Sequence, residues 1–145
     1  MTEPGARGML DTSTVILLGR LMEPSALPLD SMISAITLAE LSVGPHVART
    51  GRERVARQAH LQQAESDFEA ISFGPDAARA FGRVAASLRA GGRKPAARAY
   101  DALIAASALA ENVPIYTCNP EDFKGIEGLE VRAVPHPDSP LPHSQ

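Results

Sequence analysis

At 145 residues, with 44% hydrophobic and 21% charged residues, the chain has the length and composition of one globular domain, which excludes wholesale disorder and fibrous classes. The formal net charge of −3 gives no basic excess of the kind that marks most nucleic-acid binders, so such a function would depend on how the charges are distributed. A single cysteine, no apolar run of membrane-spanning length and a start without a signal peptide's apolar core together predict a cytoplasmic protein with no membrane association and no disulfide.

The first half of the chain alternates predicted strands and helices. An apolar segment from Gly8 to Asp11 leads into STVILLGRLM, which is typical of a strand that runs straight into a helix. After a proline-containing loop, SMISAIT predicts a second strand and LAELSVG a helix, in which Thr37 and Glu40 have the spacing of an N-cap and its capping box. Residues 50 to 68 predict a polar helix that leads into the short strand EAISF.

The second half continues this alternation. Gly74-Pro75-Asp76 begins a helix whose apolar residues recur at spacings of three and four, and Gly91-Gly92 ends it. The next helix, PAARAYDALIAASALAEN, is mostly small or apolar, which indicates close packing against a sheet. The strand PIYTC, the turn NPEDF and a last strand, LEVRAV, follow. The whole pattern predicts an α/β sandwich with a mainly parallel sheet.

The predicted domain spans residues 1–134. The tail from residue 135 to 145 carries four prolines among polar residues, so we expect it to be disordered.

Carboxylates fall where the predicted strands end. Asp11 ends the first strand, Glu40 follows the second, and Asp122 follows PIYTC together with Asn119. Ligands bind at the carboxyl ends of parallel strands, and Asp101, early in the small-residue helix, is placed to reach the same region. Clustered carboxylates repel one another unless a cation lies between them, and Mg²⁺ and Mn²⁺ prefer oxygen ligands. The pattern predicts a divalent-metal site suited to phosphodiester hydrolysis by an activated water.

Each carboxylate also has a purely structural interpretation. Asp11 would cap the first helix, Glu40 would complete a capping box, Asp101 would favour a helix start, and Asp122 would stabilise the NPEDF turn. These interpretations do not explain why acidic residues stand inside the apolar runs MLDTSTVILL and AYDALIAASALA.

Basic residues are concentrated near these carboxylates in the sequence. Between residues 79 and 98 there are six basic residues and no acidic one, including Arg93, Lys94 and Arg98. The run is either an RNA-binding surface or an ordinary solvated helix face.

Three segments, taken in order, resemble the successive motifs of PIN-domain ribonucleases of the kind found as the VapC toxin in VapBC toxin–antitoxin pairs. They are MLDTSTVI, SAITLAELSVG and AYDALIAASALAENVPIYTCNPEDF, and the likeness extends from Met9 to about Val134. Residues 1–8 exceed the family's usual short lead, which indicates either a native start at Met9 or a flexible extension.

The resemblance implies a three-layer α/β/α sandwich with a central sheet of four to five strands. It implies that Asp11, Glu40 and Asp101 bind Mg²⁺ or Mn²⁺ and that Ser13 and Thr117 support the site. It also implies an RNA substrate, a homodimer and a VapB-like antitoxin that blocks the acidic pocket. Because Asn119 stands where many members carry aspartate, Asn119 and Asp122 both remain candidates for the fourth site residue.

Two rival functions stay open on the sequence alone. One is a PIN-like subunit that binds RNA or a partner without cleaving. It is suggested by the amide of Asn119, which stands where many family members carry aspartate. The other is a metal-dependent phosphohydrolase of small phosphate esters.

Overall fold

A computed structural model describes residues 6–94 and 98–138 of the chain. In these ranges five strands form one parallel sheet in the order β3-β2-β1-β4-β5. The strands are β1 (Arg7–Leu10), β2 (Asp30–Ser34), β3 (Glu69–Ile71), β4 (Ile115–Thr117) and β5 (Val131–Ala133). The helices are α1 (Thr12–Leu17), α2 (Ala35–Val43), α3 (Gly51–Asp67), α4 (Pro75–Ala90) and α5 (Ala99–Glu111). The predicted α/β class and parallel sheet are confirmed.

Side chains that alternate along the central strands divide the core into two layers. Met9, Met32 and Ile115 point to one face, where they pack with apolar residues of α4 and α5. Their neighbours point to the other face, against α1, α2 and α3, and include Leu10, Ile33 and Tyr116. Because both faces are covered, the strands are buried on both sides, as parallel sheets usually are. This arrangement is the expected three-layer sandwich.

Strand β1 begins at Arg7, inside the segment 1–8 that was expected to be a flexible extension. Arg7 and Gly8 belong to the strand and pair with Asp30 and Ser31, and a Cβ atom at Gly8 would collide with the ring of Tyr116. The expectation of a flexible segment through residue 8 is therefore wrong for Arg7 and Gly8, because they are needed for sheet pairing. Residues 1–5 lie outside the described residues.

The predicted tail also begins later than expected. Val134 is buried, and the Asp138 carboxylate forms an ion pair with Arg20, so residues 135–138 lie against the domain. The expectation of disorder is wrong for these four residues. Residues 139–145 lie outside the described ranges, and the extent of the domain over 1–134 stays a prediction.

Helix α2 begins at a different residue from the predicted one. Ser34 is its N-cap, and the Ser34 hydroxyl accepts a hydrogen bond from the backbone N–H of Ile36 at 3.0 Å. Thr37 lies within the first turn and is buried, so the predicted capping box of Thr37 and Glu40 is wrong. The Glu40 carboxylate therefore has no capping role and is available for the site at the carboxyl edge of the sheet.

No helix in residues 6–94 and 98–138 has both the length and the apolar character needed to span a membrane.

Candidate metal centre at the carboxyl edge of the sheet

Asp11 lies at the junction of β1 and α1, with its side chain only 2% exposed. It is the N-cap of α1, and its Oδ1 accepts hydrogen bonds from the backbone N–H of Thr14 at 3.3 Å and from the Thr14 hydroxyl. Its Oδ2 accepts from the hydroxyls of Ser13 at 3.0 Å and Thr117 at 2.9 Å. Asp11 therefore does cap the helix, but it is held by more donors than a cap requires.

Two opposing effects set the pKa of Asp11. Burial disfavours the charged carboxylate and raises its pKa above the ordinary value. The hydroxyl groups of Thr14, Thr117 and Ser13 stabilise the charged form and lower the pKa, but they do not cancel the effect of burial. The carboxylate is thus ready to be stabilised further by a positive charge.

Glu40 is held by the hydroxyl of Thr12, which in turn contacts the hydroxyl of Thr37. The Thr12 hydroxyl, at the start of α1, donates to Glu40 Oε1 at 2.6 Å and lies 3.0 Å from the buried Thr37 hydroxyl. Since a hydroxyl carries one proton, Thr12 donates to Glu40 while Thr37 donates to Thr12. Burial raises the pKa of Glu40, Thr12 lowers it and the charge of Asp11 raises it again.

Arg98 joins the other two carboxylates of the edge. Its Nη1 lies 2.8 Å from Oδ1 of Asp122 and 3.7 Å from Oδ2 of Asp101. Both aspartate side chains are 25% exposed, whereas the Arg98 side chain is 58% exposed. The guanidinium therefore covers these carboxylates from the solvent side.

Asp101 interacts electrostatically with the other three carboxylates of this edge. Its pKa is raised to about 6, first by burial and then by the charges of Asp122, Asp11 and Glu40, while Arg98 lowers it. Like charges act on one another in this way only at short range in a screened solvent. The structure thus brings together the predicted carboxylates Asp11, Glu40, Asp101 and Asp122.

Asn119 has a supporting position. Its side-chain Nδ2 donates to the Ser13 hydroxyl at 3.0 Å, and its backbone N–H donates to the Thr117 hydroxyl at 2.9 Å. Both of these hydroxyls in turn donate to Asp11 Oδ2. Ser13, Thr117 and Asn119 therefore form a connected network that fixes the Asp11 carboxylate between β1 and β4.

The donor set fits a hard divalent cation in chemistry and charge. Carboxylate and hydroxyl oxygens are the ligands that Mg²⁺ and Mn²⁺ prefer, and a cation would relieve the repulsion that raises the pKa of Asp101. Within the described ranges, however, no three carboxylate, histidine or cysteine side chains are grouped closely enough to hold an ion as they stand. Cation binding therefore requires some of these side chains to rearrange.

The three predicted RNA-binding residues surround a cavity beside this cluster. Arg93, Lys94 and Arg98 are exposed, and they line a cavity of about 570 Å³ together with Asp101 and Asp122. Arg93 Nη1 donates to the backbone carbonyl of Glu121 at 3.5 Å. Basic and acidic groups thus share one opening.

Three further residues of the site, and the ion pairs of the predicted residue Arg98, were not foreseen from the sequence. Thr12 and Thr14 hold carboxylates through their hydroxyl groups, and Thr37 contacts the Thr12 hydroxyl. Arg98 pairs with Asp101 and Asp122. The third position after Asp11 was a possible signal for Thr14, because an N-cap bonds to that residue. The Arg98 contact to Asp122 crosses between two separate elements and has no local signature.

Comparison with known proteins identifies the family. The PIN domain family matches residues 9–129. Ribonuclease VapC5 from Mycobacterium tuberculosis is 35% identical over 130 residues, covering 88% of this chain and 93% of the relative. Ribonuclease VapC from Rickettsia bellii is 31% identical over 133 residues, covering 90% of this chain and 98% of the relative.

A solved structure agrees with these relatives. The crystal structure of VapBC-5 from Mycobacterium tuberculosis, a member of the VapBC family of toxin-antitoxin systems, superposes with a TM-score of 0.77 at 35% identity. The match covers 89% of this chain and 99% of that chain. The chain therefore belongs to the PIN-domain family, whose VapC members are ribonucleases that generally depend on a divalent metal ion.

Proposed function

We propose that the protein is a Mg²⁺- or Mn²⁺-dependent endoribonuclease and the toxin of a type II toxin–antitoxin pair. The observation that carries the proposal is the convergence of Asp11, Glu40, Asp101 and Asp122 at the carboxyl edge of the sheet, where each of the first three has a raised pKa. A cluster of this kind is costly to the fold, and clusters of perturbed carboxylates mark functional sites.

Asp11, Glu40 and Asp101 are the proposed metal ligands. Asp122, rather than Asn119, is the proposed fourth residue of the site. Asp122 interacts with Asp101, whereas the Asn119 amide is bonded to Ser13. Ser13 and Thr117 orient Asp11 through their hydroxyl groups.

A bound divalent ion supplies a more acidic water and a positive charge for the leaving oxygen of a phosphodiester. The chain's own basic residues, Arg93, Lys94 and Arg98, hold the RNA backbone through its phosphates at the opening beside the carboxylates. Thr12 and Thr37 keep the Glu40 carboxylate directed at this edge while substrate binds.

A VapB-like antitoxin and a second copy of the chain are the proposed partners. The similar VapBC-5 structure belongs to a toxin-antitoxin family, and this chain exposes large apolar side chains, including Ile16, Met22 and Leu29. Sedimentation at micromolar concentration should give a dimer, and a monomer would contradict that part of the proposal. The free buried thiol of Cys118 suits a reducing compartment, so the cytoplasm is the proposed location.

The test of the proposed function is cleavage of total cellular RNA by the purified, antitoxin-free protein with Mg²⁺ or Mn²⁺. EDTA and the Asp11→Ala variant should each abolish cleavage, whereas Asp76→Ala, at an exposed ion pair on α4, should cleave normally. Discrete fragments that disappear only with EDTA and Asp11→Ala support the proposal.

The same samples separate the rival functions. Retained RNA binding in Mg²⁺ without any shortening of the RNA would indicate a non-cleaving binder. Turnover of small phosphate esters without RNA cleavage would indicate a phosphohydrolase of small substrates.

A further inference from the structure

A cavity of about 570 Å³ opens directly beside the carboxylate cluster. Its apolar wall is formed by Leu88 at the end of α4, Ala102 in α5 and Ile126 after the turn at Pro120–Phe123. A larger cavity, of about 700 Å³, lies against α3 and is lined by none of the four carboxylates. The smaller cavity is therefore the one that shares residues with the proposed metal centre.

The size and chemistry of this cavity suit one nucleotide. Its volume lies in the range of roughly 300 to 1,000 Å³ that is usual for small-molecule sites. The apolar wall offers a surface for the face of a base, while Arg93, Lys94 and Arg98 offer positive charge to a phosphate at the rim. Proteins that read RNA by sequence generally bind bases that have left the stack, so a cavity of this kind is what such reading requires.

Asp101 connects the cavity to the proposed metal centre. Asp101 lines the cavity and also interacts electrostatically with Asp11 and Glu40. A base held against Leu88, Ala102 and Ile126 occupies a cavity that Asp101 and Asp122 also line, which puts the RNA backbone next to the proposed metal centre. That centre is where the proposed cleavage takes place.

Arg93 is the residue best placed to favour nucleotides over other ligands. Its guanidinium donates to the Glu121 backbone carbonyl, which holds it at the rim, whereas the Glu121 carboxylate faces Lys124 at 3.9 Å. Among the described residues the Arg93 side chain makes this one hydrogen bond, and a planar guanidinium stacks on bases as well as binding phosphate.

We propose that this cavity is a nucleotide subsite that binds one base of the RNA substrate next to the scissile phosphate. The inference rests on the proposed ribonuclease function. It goes further by naming the place where the base next to the cleaved bond is selected.

The test is a titration of the full chain with adenosine, guanosine, cytidine and uridine 5′-monophosphates, followed by NMR at the amides of Gly92, Ala102 and Ile126. We expect saturable shifts at these amides, with affinities that differ among the four bases. Arg93→Gln should weaken the binding about tenfold, the scale of one hydrogen bond to a charged group. Arg89→Gln is the matched control, because Arg89 is exposed on the last turn of α4 and does not line the cavity.

Three results would overturn the subsite. Inorganic phosphate that shifts the same amides as strongly as the nucleotides would indicate a simple anion-binding patch. Shifts confined to other surfaces, or equal losses in Arg93→Gln and Arg89→Gln, would place nucleotide binding elsewhere.

The titration also separates failure of the subsite from failure of the proposed function. If the protein cleaves RNA but the NMR signals of its cavity amides do not shift with nucleotides, the proposed ribonuclease function holds and the subsite is wrong. Nucleotide binding at the cavity without RNA cleavage in either metal would remove the proposed ribonuclease function and leave only a nucleotide-binding cavity with no role in cleavage.

Discussion

At the scale of single residues, hydroxyl groups are what make a buried aspartate usable. Asp11 is almost fully buried, and burial alone would favour its neutral form. Hydrogen bonds from Ser13, Thr14 and Thr117 stabilise the charged form of Asp11. Because these donors are neutral, they do not compete with a metal ion as a basic side chain would. The three hydroxyls therefore belong to the function of Asp11 although none of them is acidic.

Removing one of these donors should shift the pH dependence of metal binding. Thr117→Val deletes the 2.9 Å hydrogen bond to Asp11, so the pKa of Asp11 rises further and more of the carboxylate is protonated at a given pH. We expect the acid limb of Mn²⁺ binding, measured by calorimetry from pH 5 to 8, to move to higher pH. Thr50→Val, at the N-cap of α3, should leave that limb in place. An unchanged limb in Thr117→Val would show that the hydroxyl has no part in the ionisation of Asp11.

Arg98 should act in opposite directions on metal and on RNA. Its guanidinium occupies Asp122 at 2.8 Å, so Arg98→Gln should tighten Mn²⁺ binding at pH 8 by up to about fivefold, the worth of an exposed ion pair. The same variant should bind RNA more weakly, because it loses a phosphate contact. Calorimetry with Mn²⁺ and RNA filter binding measure the two effects, with Lys124→Gln as a control that pairs only with Glu121 among the described ion pairs. Weaker metal binding in Arg98→Gln would contradict the competition.

At the scale of elements, the site depends on how α2 and α5 are held together. Ser34 caps α2 and its hydroxyl lies 3.1 Å from the Ser107 hydroxyl of α5, deep in the core. Ser107 also donates to the carbonyl of Leu103 within its own helix. This pair links the helix that carries Glu40 to the helix that carries Asp101.

Loss of the pair should cost stability in a coupled way. Ser34→Ala removes both an N-cap and a buried partner, so we expect a loss of about 2 kcal/mol in the free energy of unfolding. Ser107→Ala should cost about 1 kcal/mol, and the double variant should cost less than the sum, because the second change removes a partner that is already gone. Urea denaturation of the four proteins measures this cycle, and strict additivity would rule out the coupling.

Several elements were predictable from the sequence, since hydrophobic periodicity and glycine or proline punctuation are local signals. The helix ended by Gly91-Gly92, the small-residue helix α5, the strand before Asp11 and the strand before Asn119 were of this kind. The start of α2 was not, because Thr37 and Glu40 match a capping box by spacing alone. In the fold Thr37 is buried beside Thr12, a long-range contact, and Ser34 caps the helix instead.

The site divides in the same way. Asp11, Glu40 and Asp101 were predictable as candidates, because an acidic residue in an apolar run or at a strand end is visible in the sequence. The ion pair of Arg98 with Asp122 and the hydrogen bond from Thr12 to Glu40 were not, because each joins residues more than 20 positions apart. Such contacts follow from the crossing of elements rather than from any local preference.

At the scale of the whole molecule, the sheet has a core on each face, and mutually repelling carboxylates lie along its carboxyl edge. The pKa of Asp101 is about 6 in the folded protein against 3.8 for the free side chain. A raised carboxyl pKa means that the folded state holds its proton to higher pH than the unfolded state does. Between pH 3.8 and about 6 the free energy of unfolding therefore falls as pH rises, and the loss is complete above pH 6.

Asp101→Asn should therefore stabilise the metal-free protein at pH 7.5. The amide carries no charge to repel Asp11, Glu40 and Asp122, and we expect a gain of about 2 kcal/mol in the free energy of unfolding relative to the parent. At pH 4 the gain should largely vanish, because the parent is then protonated at Asp101 in the folded state. Thermal or urea unfolding with EDTA at both pH values measures the difference. Asp76→Asn, whose carboxylate is exposed and paired with Arg79, is the control and should show no such gain. Equal stability of Asp101→Asn and parent at pH 7.5 would mean that the carboxylate cluster imposes no cost on the fold, and the electrostatic argument for a cation-binding edge would lose its support.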